Sequence, residues 1–159
     1  MKILIDSANV EKIKDISKYR EITGITTNPT ILSKVEGDIE NILKELKEFT
    51  YNKYEIHVQT TESEVEGILS EARVLRKFFG ETFHIKIPVT KAGLESIKLC
   101  SREGIKVTAT AVLSPMQALA AAMNGASYVA PYVNRMENVG QDATETISVI
   151  SDLLIDYPT

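Results

Sequence analysis

His84-Ile85-Lys86-Ile87-Pro88-Val89-Thr90 is a short apolar run that reads as a strand buried on both faces, except that a lysine stands in the middle of it. Side chains alternate along a strand, so His84, Lys86 and Pro88 share one face while Ile85, Ile87 and Val89 share the other. If the aliphatic face meets helices, the lysine points into the middle of a sheet or barrel. Burial there disfavours the ammonium and lowers its pKa, and a neutral amine is a nucleophile that forms Schiff bases with carbonyl compounds. A lysine in such a run also serves as an edge charge that discourages sheet aggregation. The rest of the chain decides between the two readings.

Outward from this run lie five more β-type stretches: Lys2 to Asp6, Gly24 to Asn28, Glu55 to Gln59, Lys106 to Val112 and Ser127 to Asn134. Helical patterns fill the intervals. Val10, Ile13 and Ile16 form one stripe after a cap at Ser7 or Asn9, and Ile39, Ile42, Leu43 and Leu46 form another after Gly37 or Asp38. Thr61 with Glu64 has the spacing of a capping box ahead of Val65, Ile68, Leu69, Ala72 and Leu75, and Gly80 ends that helix. Thr90 opens a helix that runs to Gly104. Ser114-Pro115 caps an alanine-rich helix that stops at Asn124-Gly125, and a last helix runs from about 141 to 154 or 155.

Strict β-α alternation, with strand starts about 21 to 31 residues apart, calls for parallel strands joined by right-handed crossovers. An open doubly wound sheet needs both faces of its central strands apolar. Here one face is repeatedly polar near the C-terminal strand ends: Asp6, Asn28, Gln59, Lys86, Thr110 and Tyr132. Polar groups converging from successive strands are what a barrel with its active site at that mouth requires.

Composition narrows the function classes. The chain has 159 residues, 43% hydrophobic and 25% charged, enough for one core and one domain over 1–159. A net charge of −4 and a pI near 5.3 leave no basic footprint for nucleic acid. The single cysteine, Cys100, forms no internal disulfide and reads as a small buried hydrophobe, consistent with a cytoplasmic protein. Ile3 to Ile5 is too short for a signal sequence, and no stretch reaches membrane-spanning length, so neither secretion nor a membrane partner is expected. No glycine-rich phosphate loop indicates a nucleotide cofactor. His57 and His84 lie one step deeper than Gln59 and Lys86; without a cysteine or carboxylate cluster they read as packed interior histidines, and no metal is expected.

Asp6, Gly24-Ile25-Thr26-Thr27-Asn28-Pro29-Thr30, Ile85-Lys86-Ile87-Pro88-Val89-Thr90 and Val129-Ala130-Pro131-Tyr132-Val133-Asn134-Arg135 together resemble the small transaldolase and fructose-6-phosphate aldolase family. The resemblance implies a (β/α)8 TIM-barrel type of α/β fold and a class I, metal-free and cofactor-free mechanism. It implies that Lys86 forms a Schiff base with a sugar phosphate or small ketose. Asp6 would hydrogen-bond the substrate hydroxyls and assist proton transfer, and Asn28 would orient the dihydroxyacetone portion. Gln59, Thr110 and Tyr132 would hold the water that moves protons, with Thr26 a nearby contributor and Arg135 the phosphate-contacting cation. Plainer roles exist for three of them: Asp6 as a helix N-terminal carboxylate, Asn28 as an Asn-Pro turn former, Thr110 as a β-former.

Two positions bear on the reaction. Transaldolases of this group usually carry glutamate and phenylalanine where this chain has Gln59 and Tyr132, and the aldolase branch carries glutamine and tyrosine. The resemblance therefore favours fructose 6-phosphate cleavage over transfer of dihydroxyacetone between sugar phosphates in the pentose phosphate pathway. It ends at Tyr157-Pro158-Thr159, so the expected domain is an incomplete barrel, truncated to six βα units. Its first and sixth strands would be open edges, which favours homo-oligomerisation. The loops after strands seven and eight, where such barrels bind phosphate, are not among the stretches read. A catalytically weak sugar-binding remnant is the alternative to a working enzyme.

Overall fold

The computed structural model describes residues 2–51, 53–155 and 157; Pro158 and Thr159, at the end of the resemblance, lie outside the described residues. Six strands, β1 (Leu4–Asp6), β2 (Gly24–Thr26), β3 (Glu55–Gln59), β4 (Phe83–Pro88), β5 (Lys106–Val112) and β6 (Tyr128–Pro131), pair side by side in chain order, all parallel. Helices α1 (Val10–Ser17), α2 (Pro29–Leu32), α3 (Ile39–Thr50), α4 (Val65–Phe79), α5 (Lys91–Arg102), α6 (Pro115–Met123), α7 (Val133–Asn138) and α8 (Ala143–Leu154) alternate with them. Among the described residues, no helix is long and apolar enough to cross a membrane.

One strand face makes the core. Ile25, Ile56, Phe83, Ile85, Ile87, Val107 and Ala109 are fully buried and cluster with Ile13, Leu46, Ala72, Ile97 and Ala121 of the helices. Each buried Ile or Phe contributes about 1.5–3 kcal/mol relative to exposure, which fixes which face turns outward to the helices. The other face then has to look at itself, and the sheet curls. In a flat sheet β1 and β6 would stand five strand spacings, or about 24 Å, apart. Instead Lys2, just before β1, places its Nζ 2.7 Å from Glu55 on β3 and 2.5 Å from the Tyr128 hydroxyl on β6. The result is six β/α units of the TIM-barrel type, arranged as an arc around a shared interior.

Local punctuation mostly follows the sequence. Asn9 caps α1 by accepting from the Lys12 N–H at 2.9 Å. Thr90 caps α5, and Ser114 caps α6 in a reciprocal box with Gln117.

Three expectations need correction. The Thr61–Glu64 box does not form: α4 is capped by Glu64 without a side-chain bond, while the Thr61 N–H and hydroxyl both go to the Glu71 carboxylate. A carboxylate from the next turns of the helix outcompetes a local cap because it satisfies two donors at once. The strand expected over Gly24 to Asn28 stops at Thr26. Asn28 accepts from the Ile31 N–H at 2.9 Å and opens α2, with Pro29 in its first turn. The strand expected over 127–134 stops at Pro131, so Arg135 stands on α7 instead of a strand end. Val133 has strand propensity, but the Tyr132 carbonyl accepts from the Arg135 and Met136 N–H groups, and fully buried Met136 anchors the helical turn.

Candidate active site

Lys86 is 6% exposed, at the centre of the arc. Its Nζ donates to the Thr26 hydroxyl and to the Thr27 carbonyl, each at 2.8 Å. Both partners are neutral oxygens. A neutral amine has two N–H donors, so these two bonds use them and leave the lone pair uncommitted. Burial is the main influence on Lys86 and lowers its pKa; the Asp6 carboxylate opposes this weakly. The expected inward lysine is thus present, held by β2 and the turn that follows it.

The inward register brings the other residues to the same end. Gln59 pairs with Lys86 across β3–β4, and Thr110 pairs with Pro88 across β4–β5. Buried Thr110 lies 3.3 Å from the Tyr132 hydroxyl, to which its own hydroxyl donates. Above them opens a cavity of about 420 Å³ lined by Asp6, Asn28, Gln59, Tyr132 and Arg135, along with Pro29 to Ile31 and Lys34. Gln59 Oε1 is buried and has no hydrogen-bond partner among the described residues. An acceptor left bare at the wall of a polar cavity is suited to a ligand hydroxyl or a bound water.

Backbone strain marks the rim. Ala111 has φ of 58°, the one non-glycine residue with positive φ among the described residues, a conformation that costs about 1–2 kcal/mol. It belongs to a bulge: Ala109 faces Val129 and Val112 faces Pro131, so three steps on β5 match two on β6. Without the extra residue, alternation would point Val112 inward after Thr108 and Thr110. The bulge turns Val112 outward, onto Ala118 and Ile150 of the helices, and leaves Thr110 as the last inward residue of β5.

Asp6, Asn28, Gln59, Tyr132 and Arg135 therefore meet at one cavity, with Thr26, Lys86 and Thr110 bonded beneath it. Lys34 was not anticipated. It follows the short helix α2, whose existence depended on reading Asn28-Pro29 as a helix start; four residues on from Thr30, it faces the same side of that turn. Lys34 and Arg135 are both exposed, and neither forms an ion pair among the described residues.

A family model described as Transaldolase/Fructose-6-phosphate aldolase matches residues 3–155. A relative in Streptococcus pneumoniae named "Probable fructose-6-phosphate aldolase" is 40% identical over 158 residues, covering 98% of this chain and 70% of its own. One in Nitrosopumilus maritimus named "Probable transaldolase" is 37% identical over 158 residues, covering 99% and 70%. Among solved structures, an enolase described as a putative galactarate dehydratase from Agrobacterium radiobacter superposes over all of this chain and 43% of its own, with a TM-score of 0.66 at 12% identity. At that identity the likeness is one of fold, and the chain spans less than half of that structure.

Proposed function

The chain belongs to the transaldolase/fructose-6-phosphate aldolase family, and we propose that it is a Schiff-base aldolase cleaving fructose 6-phosphate to dihydroxyacetone and glyceraldehyde 3-phosphate, and running the same steps in reverse. The observation that carries this reading is Lys86: a lysine nitrogen buried in the arc, bonded to neutral oxygens alone, with its pKa lowered by burial.

Lys86 Nζ adds to the C2 carbonyl of the ketose, and loss of water gives an iminium. Removal of the C4 hydroxyl proton sends the C3–C4 electron pair into the iminium, which becomes an enamine as glyceraldehyde 3-phosphate leaves. Protonation at C3 and hydrolysis then release dihydroxyacetone and restore the amine. Asp6 takes up hydroxyl contacts and helps move the proton. Asn28, whose Oδ1 is engaged as a cap, offers its amide N–H groups to the dihydroxyacetone end. Gln59, Thr110 and Tyr132 hold the water that carries protons, and Thr26 positions the amine. Arg135 and Lys34 supply positive charge for the phosphate.

Transaldolase chemistry is the second reading, favoured by the name of the Nitrosopumilus relative: an aldose, instead of a proton, would then take the enamine. Assembly as a homo-oligomer in the cytoplasm completes the proposal, since association covers the open edges of β1 and β6.

The test is borohydride reduction in the presence of dihydroxyacetone or fructose 6-phosphate, followed by intact mass and peptide mapping. One reduced adduct at Lys86 is the expected result. A folded protein that forms no adduct, or one that is modified equally after Lys86→Met, overturns the reading. Incubation with fructose 6-phosphate and no acceptor separates the two reactions, because an aldolase turns over to free dihydroxyacetone whereas a transaldolase holds the dihydroxyacetone unit on Lys86 until an aldose takes it.

A further inference from the structure

The interior has a second polar cluster, at the opposite end from Lys86. Glu55 and His57 stand two residues apart on the inward face of β3, and His84 is the register neighbour of His57 on β4. A nitrogen from each histidine and a carboxylate oxygen of Glu55 lie within 4.8 Å of one another. We infer that this cluster is a divalent metal site of the zinc class at the floor of the barrel, with Glu55, His57 and His84 as its protein ligands.

The hydrogen bonds around the rings support it. His84 Nδ1 sits 3.2 Å from the Thr82 carbonyl, which can only accept, so Nδ1 carries the proton and Nε2 keeps the lone pair. His57 Nδ1 is tied to the Thr108 hydroxyl at 2.7 Å. Its Nε2 is buried without a hydrogen-bond partner among the described residues and faces Glu55 Oε2 at 3.6 Å. Anchoring one ring nitrogen on an oxygen and presenting the other is the habitual arrangement of metal-bound histidine. His57 and His84 are each 2% exposed, so both rings are held in the barrel interior. Two imidazoles with one carboxylate form a donor set that zinc takes, solvent filling the fourth position.

Three features define what binding must change, the first being the Tyr128 hydroxyl, which donates to Glu55 Oε2 at 2.8 Å and has to turn away. Tetrahedral coordination brings ligand atoms to about 3.4 Å from one another, so the cluster closes by roughly 1 Å, and the rings, now stacked within 3° of parallel, tilt until their lone pairs converge. The Lys2 ammonium already occupies Glu55 at 2.7 Å. Its side chain is 55% exposed, free to swing into solvent, and it competes with the ion for the carboxylate. Removing Lys2 therefore tightens binding, the opposite of what a merely structural ion pair would do.

Dialysed protein at neutral pH is titrated with zinc chloride by calorimetry, with metal analysis after desalting and thermal unfolding with and without chelator. One zinc per chain, a raised Tm, severalfold tighter binding in Lys2→Met and at least tenfold weaker binding in His84→Asn are expected. Glu55→Gln, at a less buried position, gives the same weakening if His84→Asn does not fold. Absence of bound zinc in both the parent and Lys2→Met overturns the site, as does undiminished binding in a folded His84→Asn or Glu55→Gln variant. Borohydride trapping at Lys86 is independent of all these outcomes.

Discussion

Lys2 and Lys86 reach into the same curved interior from opposite ends, and their amines are pushed in opposite directions. Lys2 is held by the Glu55 carboxylate and then the Tyr128 hydroxyl, and its pKa is raised. Lys86 meets the Thr26 hydroxyl and the Thr27 carbonyl, and burial lowers its pKa. Side chain and barrel are the same in the two cases. A carboxylate partner and solvent fix the charge on one, while desolvation beside neutral oxygens removes its support from the other.

The largest effect that can break this contrast comes from exchanging which lysine is lost. Lys86→Met should abolish the reducible adduct and lower aldol cleavage by at least about 10³-fold, while Lys2→Met should leave adduct formation at Lys86 intact. Equal loss in both, with circular dichroism confirming folded protein, would dissolve the distinction between the two ends.

A pH series sharpens it next. A lysine with a lowered pKa is protonated and inert at low pH and becomes a nucleophile as pH rises through that value. Single-turnover adduct formation should therefore rise with pH and level off below the ordinary lysine range near 10.5. The Asp6 carboxylate favours the charged amine, so in Asp6→Asn the rise should move to lower pH even though turnover falls. A shift to higher pH would contradict the part given to Asp6.

Thr26→Val removes one of the two oxygens that hold the Lys86 amine and adds no charge. A lost hydrogen bond of about 1–1.5 kcal/mol corresponds to a roughly tenfold slower adduct formation, with little change in Tm. The smallest expected effect is at the rim. Lys34→Ala should raise KM for fructose 6-phosphate about two- to fivefold, in line with an exposed ion contact, and leave cleavage of the unphosphorylated ketose unchanged. An equal change for both substrates would remove Lys34 from the phosphate end.

Much of this was legible along the chain, for a definite reason. Alternation assigns faces wherever one face is apolar, so Ile85 and Ile87 outward mean Lys86 inward, and the same logic aligns Asp6, Gln59 and Thr110. Caps such as Thr90 and Ser114 act within three residues and are visible at that range. Elsewhere, competing partners lay beyond that range. Thr61 bonds to Glu71 ten residues away, and Val133 joins a helix because Met136 is buried. The bulge at Ala111 has no signal in the sequence, since alanine does not announce a positive φ.

The sequence by itself determined the β-α order, the inward face of each strand and the lysine at the centre, because these follow from local periodicity and burial preference. Which inward residues touch one another was decided only by the tertiary structure. Curling the sheet carries Lys2 to Tyr128 across 126 positions and Lys86 to Thr26 across 60. Register between the neighbouring strands β3 and β4, not curvature, sets His84 beside Glu55 and His57. Curvature is a property of the whole sheet, the sum of small twists between neighbouring strands, and no single stretch of the chain contains it.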